Sequence, residues 1–248
     1  MQDLTGKIVW ITGAGTGIGE SGALKLAGAG CQIVLSGRRK ELLELVAQQI
    51  IDAGHPAPLI EPLDVSNKVE VQTVVNNILQ KMGTIDIAVL SAGINIRNRN
   101  WPAIETDGWD QVINIDLNGA FYCCHAVLPS MRANGSGLII NISSMAGKGV
   151  SSLTGPAYTS AKHAMNAMTA SLLMEERNNG IRATAICPGE VATPILNDRP
   201  IPVSDEDKAR ILQAEDLGDL ILFVAQQPPH VTLNEVLITP TYNRFATT

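Results

Sequence analysis

Three side chains in the second half of the chain are suited to proton transfer. Tyr158 and Lys162 stand four residues apart in a helical stretch, so both project from one face of the helix. Lowering the pKa of a phenol from about 10 to about 7 takes roughly 4 kcal/mol. An ammonium group about 4 Å away supplies that amount at an effective dielectric constant of about 20. We therefore expect Tyr158 to act as a general acid or base, Lys162 to lower its pKa, and Ser144, at the end of a predicted strand, to hold a substrate oxygen.

A tyrosine and a lysine at this spacing also occur together by chance on buried helices, so a second motif is needed. A glycine-rich turn lies between a predicted strand and a predicted helix near the start of the chain, where backbone N–H groups and the helix dipole favour a pyrophosphate. The glycines expected to let the backbone approach a pyrophosphate are Gly13, Gly17 and Gly19, and their spacing is not G-x-G-x-x-G. A turn without a ligand is the alternative, but the strand-turn-helix context indicates nucleotide binding. The turn reads Thr12-Gly13-Ala14-Gly15-Thr16-Gly17-Ile18-Gly19.

The end of the second predicted strand bears on which nicotinamide cofactor is bound. NAD-binding versions of this arrangement place an acid there, whereas this chain has Arg38 and Arg39 after Ser36 and Gly37. A charge-assisted hydrogen bond to a 2′-phosphate contributes about 1.5–3 kcal/mol. The sequence therefore predicts a preference for NADP(H), with NAD(H) as the second choice. The alternative is that both arginines simply begin an exposed helix.

The third predicted strand ends at Asp64 and Val65, which are placed to meet the adenine. The carboxylate could accept a hydrogen bond from the adenine amino group. A turn or cap before Ser66 is the alternative role for Asp64.

Short apolar segments alternate with amphipathic ones along the whole chain, which predicts an α/β fold with a doubly wound parallel sheet and right-handed crossovers. Helices are expected at 39–54 and 67–83, the second after Ser66 or Asn67 as N-cap and ending at Gly83. We expect one domain over 1–248, with a substrate flap at about 190–210, where prolines interrupt the pattern. The predicted strands are 7–11, 31–36, 58–63, 85–90, 137–143, 181–186 and 235–239.

Composition argues against several classes of protein. The net charge is −6 from 18 basic and 24 acidic residues, and no basic stripe offsets it, so we expect no nucleic acid partner. The opening MQDLTGK is too polar for a secretory signal, and no apolar run reaches the roughly 18 residues of a membrane span. We therefore expect a cytoplasmic protein with no membrane partner.

The cysteines and histidines show no metal-ligand spacing, so no metal is expected. The cysteines form no C-x-x-C pair and are expected to be buried reduced thiols. They are Cys31, Cys123, Cys124 and Cys187, and the histidines are His55, His125, His163 and His230.

Taken together, these motifs resemble those of the short-chain dehydrogenase/reductase family, in its single-domain branch, over nearly the whole chain. The resemblance implies a three-layer Rossmann fold with a seven-stranded, mainly parallel sheet, an NAD(P)(H) cofactor, and a homodimer or homotetramer. The segments that carry it are TGAGTGIG (12–19), DV (64–65), SAG (91–93), DLNGAF (116–121), SS to YxxxK (143–162) and PGEVATP (188–194).

The resemblance also implies roles for individual cofactor-binding residues. Gly13, Ile18 and Gly19 would contact the pyrophosphate, Ala92 and Gly93 would line the cofactor, and Lys162 would also reach the nicotinamide ribose. The nicotinamide amide would be held by Pro188, Gly189, Val191 and Thr193. The full predicted cofactor set is Gly13, Thr16, Gly17, Ile18, Gly19, Arg38, Arg39, Asp64, Val65, Ala92, Gly93, Tyr158, Lys162, Pro188, Gly189, Val191 and Thr193.

Two positions depart from the family pattern. Ser91 stands where the family usually has an asparagine, so the end of the fourth strand is expected to rest on other contacts. Asp116 stands at the place of the family's fourth catalytic residue, an asparagine, and we retain it in the catalytic set with Ser144, Tyr158 and Lys162. A carboxylate near Lys162 would alter the proton relay. Asn118 lies two positions late and should face elsewhere.

The expected activity is that of an NADP(H)-dependent oxidoreductase interconverting a small-molecule carbonyl and a secondary alcohol. Arg97 and Arg99 follow the fourth strand and would grip an anionic substrate, unless they are merely solvated; Glu190 argues for a polar or hydroxylated one. The alternatives are an NAD(P)-binding regulatory protein without significant turnover, which Asp116 favours, and an epimerase or dehydratase of the extended branch, for which the chain lacks length.

Overall fold

The computed structural model describes residues 1–242 and is organised around a seven-stranded parallel sheet. Its strand order is β3-β2-β1-β4-β5-β6-β9, and β7 pairs with β8 in a separate small sheet. The strands are β1 (Ile8–Thr12), β2 (Gln32–Ser36), β3 (Leu59–Ile60), β4 (Ile87–Leu90), β5 (Gly137–Ile142), β6 (Ile181–Pro188), β7 (Val191–Ala192), β8 (Leu212–Gln213) and β9 (Glu235–Ile238).

Helices cover both faces of this sheet, and successive side chains of β1 point to opposite faces as a strand requires. Val9 and Ile11 pack with α1, α2 and α8, whereas Ile8 and Trp10 pack with α3, α5 and α6. The predicted three-layer, doubly wound fold is therefore confirmed. The α-helices are α1 (Gly17–Gly28), α2 (Lys40–Asp52), α3 (Lys68–Met82), α4 (Thr106–Ile113), α5 (Gly119–Asn134), α6 (Pro156–Glu176), α7 (Asp205–Arg210) and α8 (Ala214–Ala225).

The third strand is shorter than the sequence pattern predicts. The prediction covers 58–63, but only Leu59–Ile60 pair with β2. Pro58 and Pro62 have no N–H to donate to a ladder, which limits regular pairing at this edge of the sheet. The chain nevertheless stays beside β2, since Leu63 N donates to Gly37 O at 3.0 Å.

The ends of α3 follow the predicted chemistry. The side chain of Asn67 accepts hydrogen bonds from Val69 N at 3.1 Å and Glu70 N at 3.3 Å, so Asn67 rather than Ser66 is the N-cap. The helix stops before Gly83, which adopts φ +84°.

The segment predicted as a flap contains several short elements rather than one open loop. They are β7, a 3₁₀ helix at Pro194–Asp198 and α7, and β8 follows directly after them. A small apolar cluster of Leu196, Val203 and Ile211 packs in this segment. The assignment of 1–248 to one domain and of 190–210 to substrate binding stays a prediction.

The four cysteines are free and buried, as predicted. Within residues 1–242, no helix is both long and apolar enough to cross a bilayer. No group of three or more potential metal ligands occurs in that same part of the chain.

Candidate active site

The sheet order reverses direction at β1 and β4, and such a reversal opens a crevice at the carboxyl ends of the strands. Four of the motifs singled out in the sequence follow strands that end there. The glycine turn follows β1, the Ser91–Gly93 segment follows β4, Ser144 follows β5, and Gly189 follows β6. The parallel topology therefore brings residues far apart in sequence to one edge of the sheet.

Close backbone packing explains two of the glycines in the turn. Gly13 has φ +64°, and a Cβ there would lie 2.8 Å from backbone atoms of Ala92. A Cβ at Gly19 would lie only 2.3 Å from Gly13 O. The turn is thus drawn against the end of β4, and the start of α1 is held at the crevice.

The donors at the start of α1 suit an anionic ligand. Thr16 precedes the helix in an extended conformation, but its side chain accepts no hydrogen bond from the first-turn amides. Amides left without a side-chain cap favour an anion such as a pyrophosphate. The turn therefore fits the dinucleotide that its sequence predicts.

The segment after β6 lies beside this turn. Gly189 N donates to Ile238 O at 2.8 Å, which continues the β6–β9 pairing past Pro188. Thr193 contacts the turn directly, because a Cβ at Gly17 would lie 3.0 Å from Thr193 Cγ2. Two predicted cofactor-binding segments, at 13–19 and 188–193, are thus neighbours in space.

Arg38 and Arg39 are both exposed at the end of β2. Among the described residues, no carboxylate lies within 4.0 Å of either guanidinium group, since neither takes part in an ion pair. The arrangement leaves their N–H groups available to a phosphate.

Asp64 adopts the turn role that was the alternative to adenine binding. Its Oδ1 accepts hydrogen bonds from Ser66 N at 2.9 Å and from Ser66 Oγ at 2.7 Å. Val65 is buried and packs against Gly119 at the start of α5. The contact of either residue with an adenine stays a prediction.

The first turns of α6 place Tyr158 and Lys162 as the i, i+4 spacing predicts. Lys162 Nζ lies 5.4 Å from the centre of the Tyr158 ring. The lysine is only 3 % exposed, and its Nζ donates to Ile142 O at 3.0 Å. The Ile142 carbonyl, at the end of β5, therefore fixes the ammonium group of Lys162 next to the Tyr158 ring.

Ser144 is placed by the end of β5 and the short 3₁₀ turn at Met145–Gly147. Its Oγ accepts a hydrogen bond from Ala146 N at 3.0 Å. Asn166 Nδ2 donates to Gly147 O at 3.0 Å, which fastens this turn to α6. Ser144, Tyr158 and Lys162 are thereby brought together.

The net effect of the surroundings on Tyr158 differs from the sequence prediction. Burial of the phenol raises the pKa of Tyr158 above its usual value, and the nearby ammonium of Lys162 lowers it in part. Asp116 raises that pKa further, whereas the Ser144 hydroxyl and the Arg99 charge lower it. The predicted direction of the Lys162 effect is right. For the protein without cofactor the predicted net lowering is wrong, because the argument from the Lys162 charge left out the desolvation of the phenol.

Asp116 is fully buried in a π-helical turn, Asn114–Asn118, that joins α4 to α5. Its Oδ1 accepts a hydrogen bond from Ile94 N at 2.8 Å, and its Oδ2 lies 3.5 Å from Lys162 Nζ. Burial raises the pKa of this carboxyl, while the Lys162 charge and the Ile94 N–H lower it. Asn118 faces elsewhere, as predicted, with its Nδ2 donating to Asn114 Oδ1.

Other contacts secure the end of β4, where Ser91 replaces the family's asparagine. Thr12 Oγ1 accepts a hydrogen bond from Ala92 N at 3.3 Å and so links the ends of β1 and β4. Gly93 lies next to the catalytic candidates, since a Cβ there would be 3.4 Å from Asp116 Oδ2 and 3.6 Å from Lys162 Nζ.

The two arginines of the loop after β4, Arg97 and Arg99, differ in burial. Arg97 is exposed, whereas Arg99 is 5 % exposed and donates to the backbone carbonyls of Ile96, Leu153 and Asp198. Arg99 is therefore not a solvated loop residue but a buried link between three segments. Glu190 forms an ion pair with Arg199.

Sequence reasoning missed Asn95, which lies in the same loop and is buried. Its Nδ2 donates to Thr154 O at 3.0 Å, and its Oδ1 accepts from Ile96 N at 2.8 Å. The first bond fastens the loop after β4 to the segment before Tyr158, and the second fixes the Asn95 side chain within the loop. Nothing in the pattern of the sequence distinguished Asn95 from the neighbouring loop asparagines. The Ile142 carbonyl had no signal either, because backbone partners are set by the fold.

Comparisons with known proteins agree with this geometry. The family model for short chain dehydrogenase matches residues 7–201. An uncharacterized oxidoreductase from Staphylococcus saprophyticus subsp. saprophyticus is 35% identical over 240 residues, which cover 97% of this chain and 100% of the relative. An uncharacterized oxidoreductase from Staphylococcus aureus strain USA300 is 34% identical with the same coverage.

Solved structures of similar fold include proteins with nicotinamide nucleotides. A metagenomic short-chain oxidoreductase in complex with NADP has a TM-score of 0.84 and 29% identity, with 97% of this chain and 99% of that chain covered. An alcohol dehydrogenase from Thermococcus sibiricus with 5-hydroxy-NADP has a TM-score of 0.87 and 25% identity at the same coverage. Levodione reductase has a TM-score of 0.89 and 26% identity, with 98% of this chain and 100% of that chain covered.

The sheet order, the crevice and the matching family model define a Rossmann-fold oxidoreductase. The chain belongs to the short chain dehydrogenase family and to the oxidoreductases that act on CH–OH groups.

Proposed function

We propose that this chain is an NADP(H)-dependent oxidoreductase that interconverts a small-molecule carbonyl and a secondary alcohol. The observation that carries the proposal is the position of the buried Lys162. Its Nζ donates a hydrogen bond to the Ile142 carbonyl and lies 5.4 Å from the centre of the Tyr158 ring. An ammonium fixed at that position stabilises a phenolate without needing to reorganise when the proton moves. Proton exchange at a substrate oxygen is the chemistry that this arrangement favours.

In the direction of reduction, the Tyr158 phenol donates its proton to the oxygen of the substrate carbonyl. Ser144 Oγ donates a hydrogen bond to the same oxygen and orients it. Lys162 stabilises the phenolate that Tyr158 becomes. The segments at 13–19 and 188–193 would hold a nicotinamide cofactor, which would supply or accept the hydride. In the direction of oxidation Tyr158 takes the proton from the alcohol, so one residue serves as both acid and base.

The preference for NADP(H) rests on the two exposed arginines at the end of β2. Arg38 and Arg39 have no carboxylate within 4.0 Å in the described part of the chain, and no acid stands at the strand end to repel a 2′-phosphate. NADP and 5-hydroxy-NADP in two similar structures are consistent with this choice.

We also propose that the protein is a cytoplasmic homodimer or homotetramer with no nucleic acid or membrane partner. Free, buried cysteines suit a reducing compartment. The oligomeric state is proposed from the membership of the chain in its family.

A regulatory protein that binds NADP(H) without turning over a substrate is the second candidate. Asp116 favours it, because a buried carboxylate beside Lys162 opposes the ionisation of Tyr158. The enzyme requires Tyr158 to exchange a proton, whereas a sensor does not.

One experiment separates these two candidates. The protein is incubated with a panel of ketones and secondary alcohols and with each of NADPH, NADP⁺, NADH and NAD⁺, and the absorbance of the reduced nicotinamide is followed. Turnover that disappears in Tyr158→Phe supports the enzyme. Binding of NADP(H) by calorimetry without turnover of any substrate in the panel supports the sensor and overturns the proposed activity.

A further inference from the structure

The carboxylate of Asp116 is fully buried, and one of its oxygens lacks a hydrogen bond. Asp116 is 0% exposed, and its Oδ2 has no hydrogen-bond partner among the described residues although it lies 3.5 Å from Lys162 Nζ. An asparagine would satisfy the Ile94 N–H with its amide oxygen just as Oδ1 does at 2.8 Å. The hydrogen bond to the loop therefore does not require a charge at position 116, and the charge has to be explained separately.

The groups that face this carboxylate come from two segments. Lys162 and Tyr158 come from α6, and the Ile94 N–H comes from the loop after β4. Ser144 and Arg99 act on the Tyr158 phenol instead. Lys162 is the cation closest to the carboxylate, and the two share a site that excludes water. In such a site a carboxylate opposes the field that the ammonium exerts on a third group.

We propose that Asp116 is a positioning residue that weakens the influence of Lys162 on Tyr158 and so moves the pH dependence of proton transfer to higher pH than an asparagine would give. The inference rests on the proposed role of Tyr158. The Asp116 carboxylate thereby suits the enzyme to alcohol oxidation at alkaline pH, because a more basic Tyr158 phenolate takes a proton from the alcohol more readily.

The order of ionisation supports this assignment. A carboxyl group starts from a pKa near 4 and a phenol from one near 10, so Asp116 loses its proton first unless its pKa rises past that of the phenol. Burial raises the pKa of the Asp116 carboxyl, and the Lys162 ammonium 3.5 Å away and the Ile94 N–H lower it in part. Contact with that ammonium favours the carboxylate form, in which Asp116 opposes the ionisation of Tyr158.

The test compares wild type with Asp116→Asn. Substitution by the isosteric amide is expected to lower the pH midpoint of the Tyr158-dependent limb of kcat/KM by roughly one to two units, the effect of a nearby unit charge at an effective dielectric constant of about 20. Asp110→Asn is the matched control, because it removes the same charge from an exposed position on α4 and is expected to leave the midpoint in place.

A second measurement does not depend on turnover. The ultraviolet absorbance of phenolate is followed against pH in the protein alone, and the titration of Tyr158 is obtained by subtracting the curve for Tyr158→Phe. Asp116→Asn is expected to shift this titration to lower pH, whatever the substrate panel shows. Absence of turnover together with this shift contradicts the proposed activity but supports the role of Asp116.

Unchanged midpoints in both measurements overturn the inference. Asp116→Ser, which also lacks the charge but keeps an acceptor oxygen, repeats the test if the asparagine variant does not fold. Failure of both variants to fold also overturns it, since Asp116 would then be required for the structure rather than for the field at Tyr158.

Discussion

The guanidinium of Arg99 donates a hydrogen bond to the backbone carbonyl of Asp198, which lies 99 positions later in the chain. The same side chain donates to Ile96 O at 2.6 Å and to Leu153 O at 3.5 Å. One buried cation thus joins the loop after β4, the segment before Tyr158 and the 3₁₀ helix after β7.

Arg99→Ala is expected to loosen the 3₁₀ helix at Pro194–Asp198 and to lower the free energy of unfolding by about 2–4 kcal/mol, because three backbone carbonyls lose the charged donor that a buried side chain supplies. Hydrogen exchange should accelerate in that helix, and KM should rise more than kcat falls. Arg97→Ala is the control, since this exposed neighbour should change the free energy of unfolding by no more than about 0.5 kcal/mol. Equal exchange rates in both variants would show that Arg99 does not hold the segment.

Tyr158→Phe is expected to reduce turnover by at least about 100-fold, which is the lower range of a general acid–base contribution. The phenol oxygen is removed and the ring stays, so circular dichroism and cofactor affinity should match wild type. Tyr122→Phe, on α5, removes a phenol oxygen from a residue with no proposed role and should leave turnover unchanged. Near-normal turnover in Tyr158→Phe is incompatible with the proposed mechanism.

Arg38→Ala is expected to raise the dissociation constant of NADP(H) by about 10- to 150-fold, which corresponds to one charged hydrogen bond of about 1.5–3 kcal/mol. NAD(H) has no 2′-phosphate and should bind as before. Calorimetric titration of both cofactors measures the difference, and added salt should weaken NADP(H) binding more than NAD(H) binding.

Arg177→Ala removes the same charge from an exposed position at the end of α6 and serves as the control for net charge. If wild type binds both cofactors equally and Arg38→Ala weakens both to the same extent, the preference for NADP(H) is wrong.

The sequence predicts most of the sheet because its signals are local. Apolar runs gave all seven strands, and Asn67 and Gly83 marked the ends of α3 through their own side-chain and backbone chemistry. The bounds of β3 differ most from the prediction, where two prolines interrupt the ladder, and the ends of the other strands differ by one or two residues. The Tyr158 and Lys162 pair was predictable for the same reason, since i, i+4 geometry is a property of one helix.

Properties that depend on several segments meeting in space could not be predicted from the sequence. Whether the pKa of Tyr158 is raised or lowered depends on burial and on Asp116, which lies in a π-helical turn over 40 positions earlier in the chain. The burial of Arg99 depends on three loops meeting around it. The family pattern placed Asp116 near Lys162 but did not give its burial, and nothing in the type or spacing of Arg99 distinguished it from the exposed Arg97.

Gly19 provides a test of why the turn needs its glycines. A Cβ at Gly19 would lie 2.3 Å from Gly13 O, a backbone atom that cannot rotate away. Gly19→Ala is therefore expected to lower the free energy of unfolding by about 1–3 kcal/mol even without cofactor, as overpacking does. It should also weaken cofactor binding, because the start of α1 must shift.

Gly28→Ala is the matched control, because Gly28 lies in the same helix and a Cβ there would meet only His55 Nε2 at 3.9 Å. Both substitutions gain the helix propensity of alanine, worth about 1 kcal/mol, so Gly28→Ala should be neutral or stabilising. Urea unfolding of both variants in the absence of nucleotide isolates the effect of the close contact. Equal stability of the two variants would mean that Gly19 is needed for approach of the ligand rather than for packing of the turn.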